Sequence, residues 1–539
     1  MNGTMMNYPM TLDQILDHSY RIHGDKLVYT QLNDGEIHRY SYTDLYDRVN
    51  SLAHSLSEFG IQHGDRIATY AVNSYQHLEL FYAIPLVGGI IHPLNIRFSS
   101  QQLATIVNEA EDRIIFVDSD LLEDYSKVEN EITPITTVII DSNLKCKNEY
   151  NECYELGYED LLSNSSKSRI DIQDENWGMA LCYTSGTTGD PRGVIYSHRS
   201  MFLHTLAANQ PDVFGITEKD VVMPVVPMFH ALGWGIPYAT MFAGADIVLP
   251  GKNFGNIIDL IAKTGVTIAA GVPTVWLKLL PELLANRDKI SSLRRIIVGG
   301  EAIAPVHIKT FEKDLGIEIR HAWGMTEMSP TGTICNLNHS HQSLPDSEQW
   351  SIKSMQGRPI PGVQIRIVND KDIELPWDGT SIGEVQVKSH WTANTYYKNG
   401  GSQDIITNDE WLHTGDLATI NPDGYMNIVD RTKSIIRSGG ESISSIALEK
   451  SIISHPSVMD ATVIGIADDT WGERPIALLV LDEPVEDISL LMIDHLMDDF
   501  PKFWVPDRFL VVDEIPKNSV GKTDKYAIQQ IVTNIDNDS

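Results

Sequence analysis

Cysteine is scarce in this 539-residue chain: there are four, Cys146, Cys153, Cys182 and Cys335, and no two stand in a CxxC spacing. Neither a disulfide framework nor a zinc site is indicated. Long hydrophobic runs are also missing. No stretch reaches the ~18 consecutive apolar residues that a membrane-crossing helix needs. The opening "MNGTMMNYPMTLDQIL" has no basic flank followed by an apolar core, so no signal peptide is expected and the cytoplasm is the default location. Positive charge is short as well: Lys and Arg number 41 against 73 Asp and Glu, a formal net charge of −32. Such a balance disfavours nucleic acid and an electrostatic grip on anionic membranes. Any anionic ligand then requires a locally positive pocket. No internal repeat or low-complexity segment stands out.

What is present is patterned for large cores. Hydrophobic residues make up 42% and charged residues 21%, a soluble globular balance, and the length suggests roughly three to four domain-sized units. "TDLYDRVNSLAHSL" sets Leu45, Val49, Leu52 and Leu56 on one helical face, with Thr43 as the expected N-cap. Strand and helix then alternate: "DRIATYAVNS" and "YQHLELFYAIPLVGG", "SQQLATIVNEA" and "RIIFVD", "NIIDLIAKTG" and "VTIAAGV", "PVHIKTFEKDLG" and "IEIRHAWG". This alternation predicts α/β layers with largely parallel sheets. From about Gly357 the texture turns strand-rich, and a boundary is expected at residues 431–434, followed by a fresh small α/β unit.

One stretch asks for a ligand. "YTSGTTGDPRGV", Tyr183 to Val194, holds four Ser/Thr hydroxyls and three glycines in twelve residues, directly after the apolar strand "WGMALC". Glycines let backbone approach a ligand closely, and N–H groups with hydroxyls suit phosphate oxygens. The P-loop spacing fails, because Pro191 and Val194 stand five residues after Gly186 and Gly189. Five further segments read as loops bearing chemistry. "VPMFHALGWG" sets His230 and Trp234 among small glycines. "IIVGGEAIAP" ends a strand at Val298 with Gly299-Gly300 open to a flat group. "HAWGMTEMSP" offers the Thr326 hydroxyl and the hard oxygens of Glu327, and magnesium on nucleotide phosphates typically takes only one or two carboxylates. Asp416 could accept from both ribose hydroxyls, with Arg431 as a fixed positive fork. Lys522 follows a glycine in "EIPKNSVGKTDKYA". Each alone could be a plain turn or a solvated charge; together they collect phosphate, metal and ribose chemistry on loops.

In this order and at these separations, "YTSGTTGDPRGV", "GMTE", "HTGD", "DRTK" and "SVGKTDK" resemble the adenylate-forming superfamily of acyl-CoA synthetases, luciferases and peptide-synthetase adenylation domains. "VPMFHALGWG", "GVPTVWLKLL", "SGGESISSIALEK", "DDTWGERP" and "KFWVPD" are similar to its fatty-acyl-CoA ligase branch, both medium- and long-chain enzymes and methylmercaptopropionate-CoA ligases. The resemblance implies a large N-terminal domain (1–430) of layered α/β sheets with a distorted β-barrel, a hinge at 431–434, and a small mobile α/β domain (435–539). It implies that carboxylic acid, ATP and CoA become acyl-CoA, AMP and diphosphate through an acyl-adenylate, with Mg2+ as cofactor.

Residue by residue, the resemblance assigns the pyrophosphate end of ATP to Thr184, Ser185, Gly186, Thr187, Thr188 and Gly189. Gly300, Glu301, Ala302, Ala322, Trp323, Gly324 and Met325 would frame the adenine, Thr326 would meet the α-phosphate, and Thr184 with Glu327 would serve the metal. Asp416 and Arg431 would take the ribose, and Lys433, at the hinge, and Arg437 would also belong to the ATP site. Lys522 would reach the α-phosphate and the attacking carboxylate. Gly439, Gly440, Glu441 and Glu473 would line the thiol route, with His230 and Trp234 as gates to the acyl pocket. Arg192 stands where Lys is usual, Trp323 where Tyr is commoner, and Ser442 where close relatives often carry Trp; Arg for Lys keeps the charge but changes its geometry. The substrate expectation is a medium- or long-chain fatty acid, with a methylmercaptopropionate or other short acid as the alternative. An enzyme loading a carrier protein and a non-catalytic nucleotide binder are the rivals from other classes, and a homodimer stays open.

Overall fold

A computed structural model of the chain describes residues 1, 3–133, 136–140, 156–163, 166–184, 191–252, 256–399, 405–432, 435–438, 441–468, 470–485, 487–517, 523–524 and 527–532. Cys146 and Cys153 lie outside them; Cys182 and Cys335 are free and buried. No helix among the described residues is long and apolar enough to cross a membrane.

Two large sheets form the first part of the chain. In the six-stranded sheet the order is Thr136–Ile140, Ile114–Asp118, Arg66–Tyr70, Ile90–Pro93, Gly178–Tyr183, Gly193–Ser197, all parallel except the final hairpin. The nine-stranded sheet has a parallel centre, running Glu318–Gly324, Arg295–Gly299, Ile268–Gly271, Val221–Pro224, Asp246–Leu249 and Leu27–Gln31, with antiparallel strands at both edges. Strands such as Ile114–Asp118 are buried along their whole length, as expected where helices cover both faces. The alternation read from the sequence is therefore the alternation observed.

Local chemistry sets the element ends. Helix Tyr42–Glu58 buries Leu45, Val49, Leu52 and Leu56 as its spacing predicts. Its N-cap is Ser41 rather than Thr43. Ser41 finds Asp44 three residues on and closes a reciprocal capping box, whereas Tyr46 stands at the same offset from Thr43, whose hydroxyl donates instead to Gly24 O at 3.0 Å. Helix Tyr75–Leu86 is buried on every side between the sheets, so its polar residues need internal partners. His77 bonds Thr69 Oγ1 (2.9 Å) and Val72 O (3.0 Å), while Glu79 receives Arg48, Tyr40 and Tyr158.

The strand-rich stretch after Gly357 corrects one expectation. Val363–Val368, Gly383–Ser389, Leu412–Ile420 and Met426–Arg431 form an open antiparallel sheet of four strands, not a closed barrel. Four strands are too few to curl onto themselves around filled side chains. The sheet buries its apolar face elsewhere: Ile365, Ile367, Val385, Val387, Ile420 and Met426 share a core with Val222, Ile297 and Ala322 of the nine-stranded sheet. The remaining strands, Ile436–Ser438, Glu441–Ile443, Val458–Asp468, Gly472–Leu481 and Arg508–Val511, make a separate C-terminal sheet with helices Ser445–Ser454 and Ile488–Met497 and its own core around Leu448, Val463, Leu479 and Met492.

Candidate active site

Thr184, Thr326 and Glu327 come together where the edge hairpin of the six-stranded sheet meets the edge of the nine-stranded one. Strand Gly178–Tyr183 delivers Thr184, whose N–H donates to Arg192 O (2.9 Å) and whose hydroxyl accepts from Arg192 N (3.1 Å). That pair closes the base of the hydroxyl- and glycine-rich loop; Ser185, Gly186, Thr187, Thr188 and Gly189 themselves lie outside the described residues. From the returning strand, Tyr196 donates its hydroxyl to Thr326 O at 2.6 Å. One hydrogen bond thus ties the hairpin to the turn that carries Thr326 and Glu327.

That turn follows strand Glu318–Gly324 and is buried: Thr326 is 8% and Glu327 6% exposed. Tyr396 donates to Glu327 Oε1 at 2.6 Å, and the Arg192 guanidinium lies 4.8 Å above the Tyr396 ring. Burial, followed by the neighbouring carboxylate of Glu327, pushes the Tyr396 phenol well above its ordinary value, so it stays a donor. Among the described residues no hydrogen bond reaches Glu327 Oε2. A single buried carboxylate with one oxygen held and the other open fits the small protein share of a magnesium–nucleotide site, and no cluster of three or more metal-ligating side chains occurs among the described residues.

Three residues back along the same strand, Trp323 donates its indole N–H to Asp416 Oδ2 at 2.9 Å, while Arg431 Nε donates to Asp416 Oδ1 at 3.1 Å. Asp416 and Arg431 are direct partners across the hairpin of the four-stranded sheet. Contacts therefore run without a break from Thr184 through Arg192, Tyr396 and Glu327 along the strand to Trp323, Asp416 and Arg431. Alongside, Gly299 approaches so closely that a Cβ there would stand 2.9 Å from Ala322 O, and Gly300 takes φ +84°. Glu301 accepts from Thr274 at 2.8 Å, and Ala302 follows it into the same turn. Gly324 has no room for a side chain, since a Cβ would collide with Pro330 O; Met325 N donates to the same oxygen at 3.0 Å.

His230 lines a small cavity with Tyr183, Phe229, Phe98 and the segment His92–Asn95. Trp234 is 8% exposed, and its ring edge lies against Gly299, so His230 and Trp234 adjoin different parts of the site. In the C-terminal unit, Arg437 N donates to Glu473 Oε2 at 2.7 Å, so these two are together. Glu441 pairs with Ser438 through backbone. Gly439, Gly440, Lys433 and Lys522 lie outside the described residues.

Sequence reading missed three contributors. Tyr396 and Tyr196 carried no signal beyond aromatic content. Asp430, 1% exposed, accepts from Ser445 N and Ser445 Oγ, both at 2.8 Å, and so pins the first turn of helix Ser445–Ser454 to the end of strand Met426–Arg431.

Comparison with known proteins gives concordant findings. Residues 16–397 match the model of the AMP-binding enzyme family, and residues 447–522 match that of the AMP-binding enzyme C-terminal domain. The chain is 38% identical to a 3-methylmercaptopropionyl-CoA ligase of Ruegeria lacuscaerulensis, with 98% of each chain covered. It is 37% identical to a medium-chain-fatty-acid–CoA ligase of Ectopseudomonas oleovorans, covering 98% of this chain and 97% of that one. Among solved structures, an anthranilate CoA ligase in complex with anthranoyl-AMP superposes with a TM-score of 0.86 over 99% of both chains at 21% identity.

Proposed function

The chain belongs to the AMP-binding enzyme family, and from this we infer that it is an acid–thiol ligase: carboxylic acid, ATP and CoA become acyl-CoA, AMP and diphosphate through an acyl-adenylate. The observation that carries the site assignment is the unbroken chain of contacts from Thr184 to Asp416 and Arg431.

A carboxylate is a poor electrophile because its leaving group would be oxide or hydroxide. Attack on the α-phosphate of ATP replaces that leaving group with AMP and releases pyrophosphate. Asp416 holds the ribose: each of its oxygens already accepts one N–H and keeps a lone pair for a ribose hydroxyl. Arg431, fixed by the same carboxylate, adds positive charge beside it. Thr326 meets the α-phosphate, and the loop from Thr184 to Gly189 wraps the β- and γ-phosphates with N–H groups and hydroxyls. Glu327 with Thr184 would hold magnesium, which supplies positive charge where two anions must meet. Lys522 supplies more, from the C-terminal unit, to the attacking carboxylate and the α-phosphate. In the second step the CoA thiol attacks the acyl carbon and AMP leaves, along a route lined by Gly439, Gly440, Glu441 and Glu473. A hinge at 431–434, with Lys433 in it, would let the C-terminal unit present Lys522 first and the glycine segment second. The separate core of that unit supports such a motion.

For the acid, a medium- or long-chain fatty acid is the first reading, supported by Trp234 as a bulky gate among glycines. The second is a short sulfur-containing acid, supported by the Ruegeria relative at equal coverage. A cytoplasmic location fits the free, buried Cys182 and Cys335. Pyrophosphate release across acetate, 3-methylmercaptopropionate, octanoate and dodecanoate, with chromatography of the nucleotides, tests both levels. AMP and pyrophosphate are expected, with octanoate or dodecanoate highest in kcat/KM. Stoichiometric ADP would refute the reaction, and acetate ahead of both longer acids would refute the chain-length reading.

A further inference from the structure

Residues 391–398 form a strap between the two large sheets. At one end Ser329 Oγ donates to Trp391 O (3.0 Å), Trp391 Nε1 donates to Thr331 O (3.2 Å) and Ala393 N donates to Glu327 O (2.7 Å), on the turn after strand Glu318–Gly324 and the start of the strand that follows it. At the other end the Lys398 ammonium donates to Glu109 O (2.8 Å) and Glu111 Oε1 (2.6 Å), at the close of helix Ser100–Ala110 beside the six-stranded sheet. Tyr396 sits between these anchors and faces both halves of the phosphate site. Its hydroxyl holds Glu327 Oε1, and its ring lies under the guanidinium of Arg192, whose main chain closes the base of the phosphate loop.

We propose that Tyr396 is a positioning residue for the metal–nucleotide site: its hydroxyl fixes the Glu327 carboxylate with Oε2 turned to the cation, and its ring sets Arg192, and with it the phosphate loop, at a fixed distance from that carboxylate. The inference rests on the adenylating function given above and adds a residue to it. A buried carboxylate that loses one of its donors can rotate, and a rotated carboxylate no longer presents the same oxygen. Loss of a partner that orients a metal-binding carboxylate typically lowers metal affinity or activity about 10–100-fold. A guanidinium over the ring face is attracted to it without a hydrogen bond, so this contact takes none of the N–H donors that would fork onto phosphate oxygens. The usual Lys at that position would bring a point charge and no fork, so the Arg192 departure changes what the tyrosine ring holds.

Two variants separate the two parts of Tyr396. Tyr396→Phe keeps the ring and removes the hydroxyl; Tyr396→Leu removes both. Binding is read by calorimetric titration of ATP with Mg2+ and of ATP with EDTA, in the absence of acid and CoA so that nothing turns over. Tyr396→Phe should weaken MgATP binding about tenfold while leaving metal-free ATP within twofold. The magnesium concentration for half-maximal pyrophosphate release should rise by a similar factor, with the melting temperature unchanged. Tyr396→Leu should weaken metal-free ATP as well, because Arg192 is released. In a Glu327→Gln background Tyr396→Phe should add less than twofold, since the tyrosine acts through that carboxylate. Equal weakening of ATP with and without metal in Tyr396→Phe, or no weakening in either, would overturn the proposal. Should the wild type release no pyrophosphate with any acid, the adenylating function fails while the binding titrations still decide the role of Tyr396.

Discussion

Trp323 gives the indole N–H that Asp416 Oδ2 accepts at 2.9 Å, and Arg431 serves the other oxygen. Asp416 is 5% exposed, so water is poorly placed to replace a lost donor. A hydrogen bond to a charged group contributes about 1.5–3 kcal/mol, and about 1.4 kcal/mol is a factor of ten in affinity. Trp323→Phe keeps a flat ring at the position proposed to frame the adenine and removes this donor. The expected result is a KM for ATP raised about tenfold with the KM for the acid unchanged, read from initial rates of pyrophosphate release. An unchanged KM for ATP would show that Arg431 alone suffices to hold the carboxylate. Trp323 was legible in the sequence as part of the expected adenine frame and as a departure from the commoner Tyr, not as a partner of Asp416. Its bond to a residue 93 positions away needed the fold.

Between His230 and helix Ile236–Ala243 the chain makes a left-handed turn: Ala231, Leu232, Gly233, Trp234 and Gly235 take φ of 43°, 55°, 59°, 61° and 72°. Each non-glycine residue in that region costs roughly 1–2 kcal/mol, so packing must hold the turn in place. Gly235 shows how: a Cβ there would stand 2.8 Å from His204 Cε1, and His204 is itself fixed by Thr331 N–H. Gly265 is the internal control, with φ +70° but nothing within 4 Å of its would-be Cβ. Gly265→Ala should lower the melting temperature through backbone strain alone. Gly235→Ala should lower it distinctly further and reduce acyl transfer, because Trp234 next to it must shift. Equal losses would mean that His204 yields freely and that the turn is not held by that contact. At this scale the sequence was most readable where one face repeats, as with Leu45, Val49, Leu52 and Leu56. It was least readable where closure decides: period-two alternation in Val363–Val368 and its neighbours is the same in an open sheet and in a barrel. In the strap, "TYYKNG" sets two tyrosines side by side, and only the tertiary fold gives Glu327 to Tyr396 and Ala110 to Tyr397. The glycines of "HALGWG" announce a tight turn, but nothing local announces that Ala231, Leu232 and Trp234 share its hand.

Across the whole molecule, histidines buried between the layers set the response to acid. His77, His198 and His204 are fully buried, and burial lowers them to about 4, about 3 and about 3. Their surroundings agree with the neutral form. His204 Nε2 accepts from Thr331 N–H, which a second proton would oppose, and neither ring nitrogen of His198 has a hydrogen-bond partner among the described residues. In the unfolded chain each titrates at about 6.5, so below that pH the unfolded state binds protons that the folded state refuses, and stability falls as pH drops from 6.5 toward 4. At pH 5.5 each such histidine accounts for a loss on the order of 1 kcal/mol, and the buried set together for several. That is a large part of the roughly 5–15 kcal/mol that holds a folded domain together. The net charge of −32 does not mask the effect, because ordinary carboxylates titrate below this window and their mutual repulsion is nearly constant across it. Thermal melts at pH 7.5, 6.5 and 5.5 at fixed ionic strength should show little change over the first step and a marked fall over the second. His198→Leu replaces an unpartnered buried ring with an apolar side chain and should remove a measurable part of that fall, which His321, also lowered to about 4 by burial, shares. A melting temperature that holds steady from pH 7.5 to 5.5, or a His198→Leu variant with an unaltered profile, would show that these rings are not held neutral by the fold.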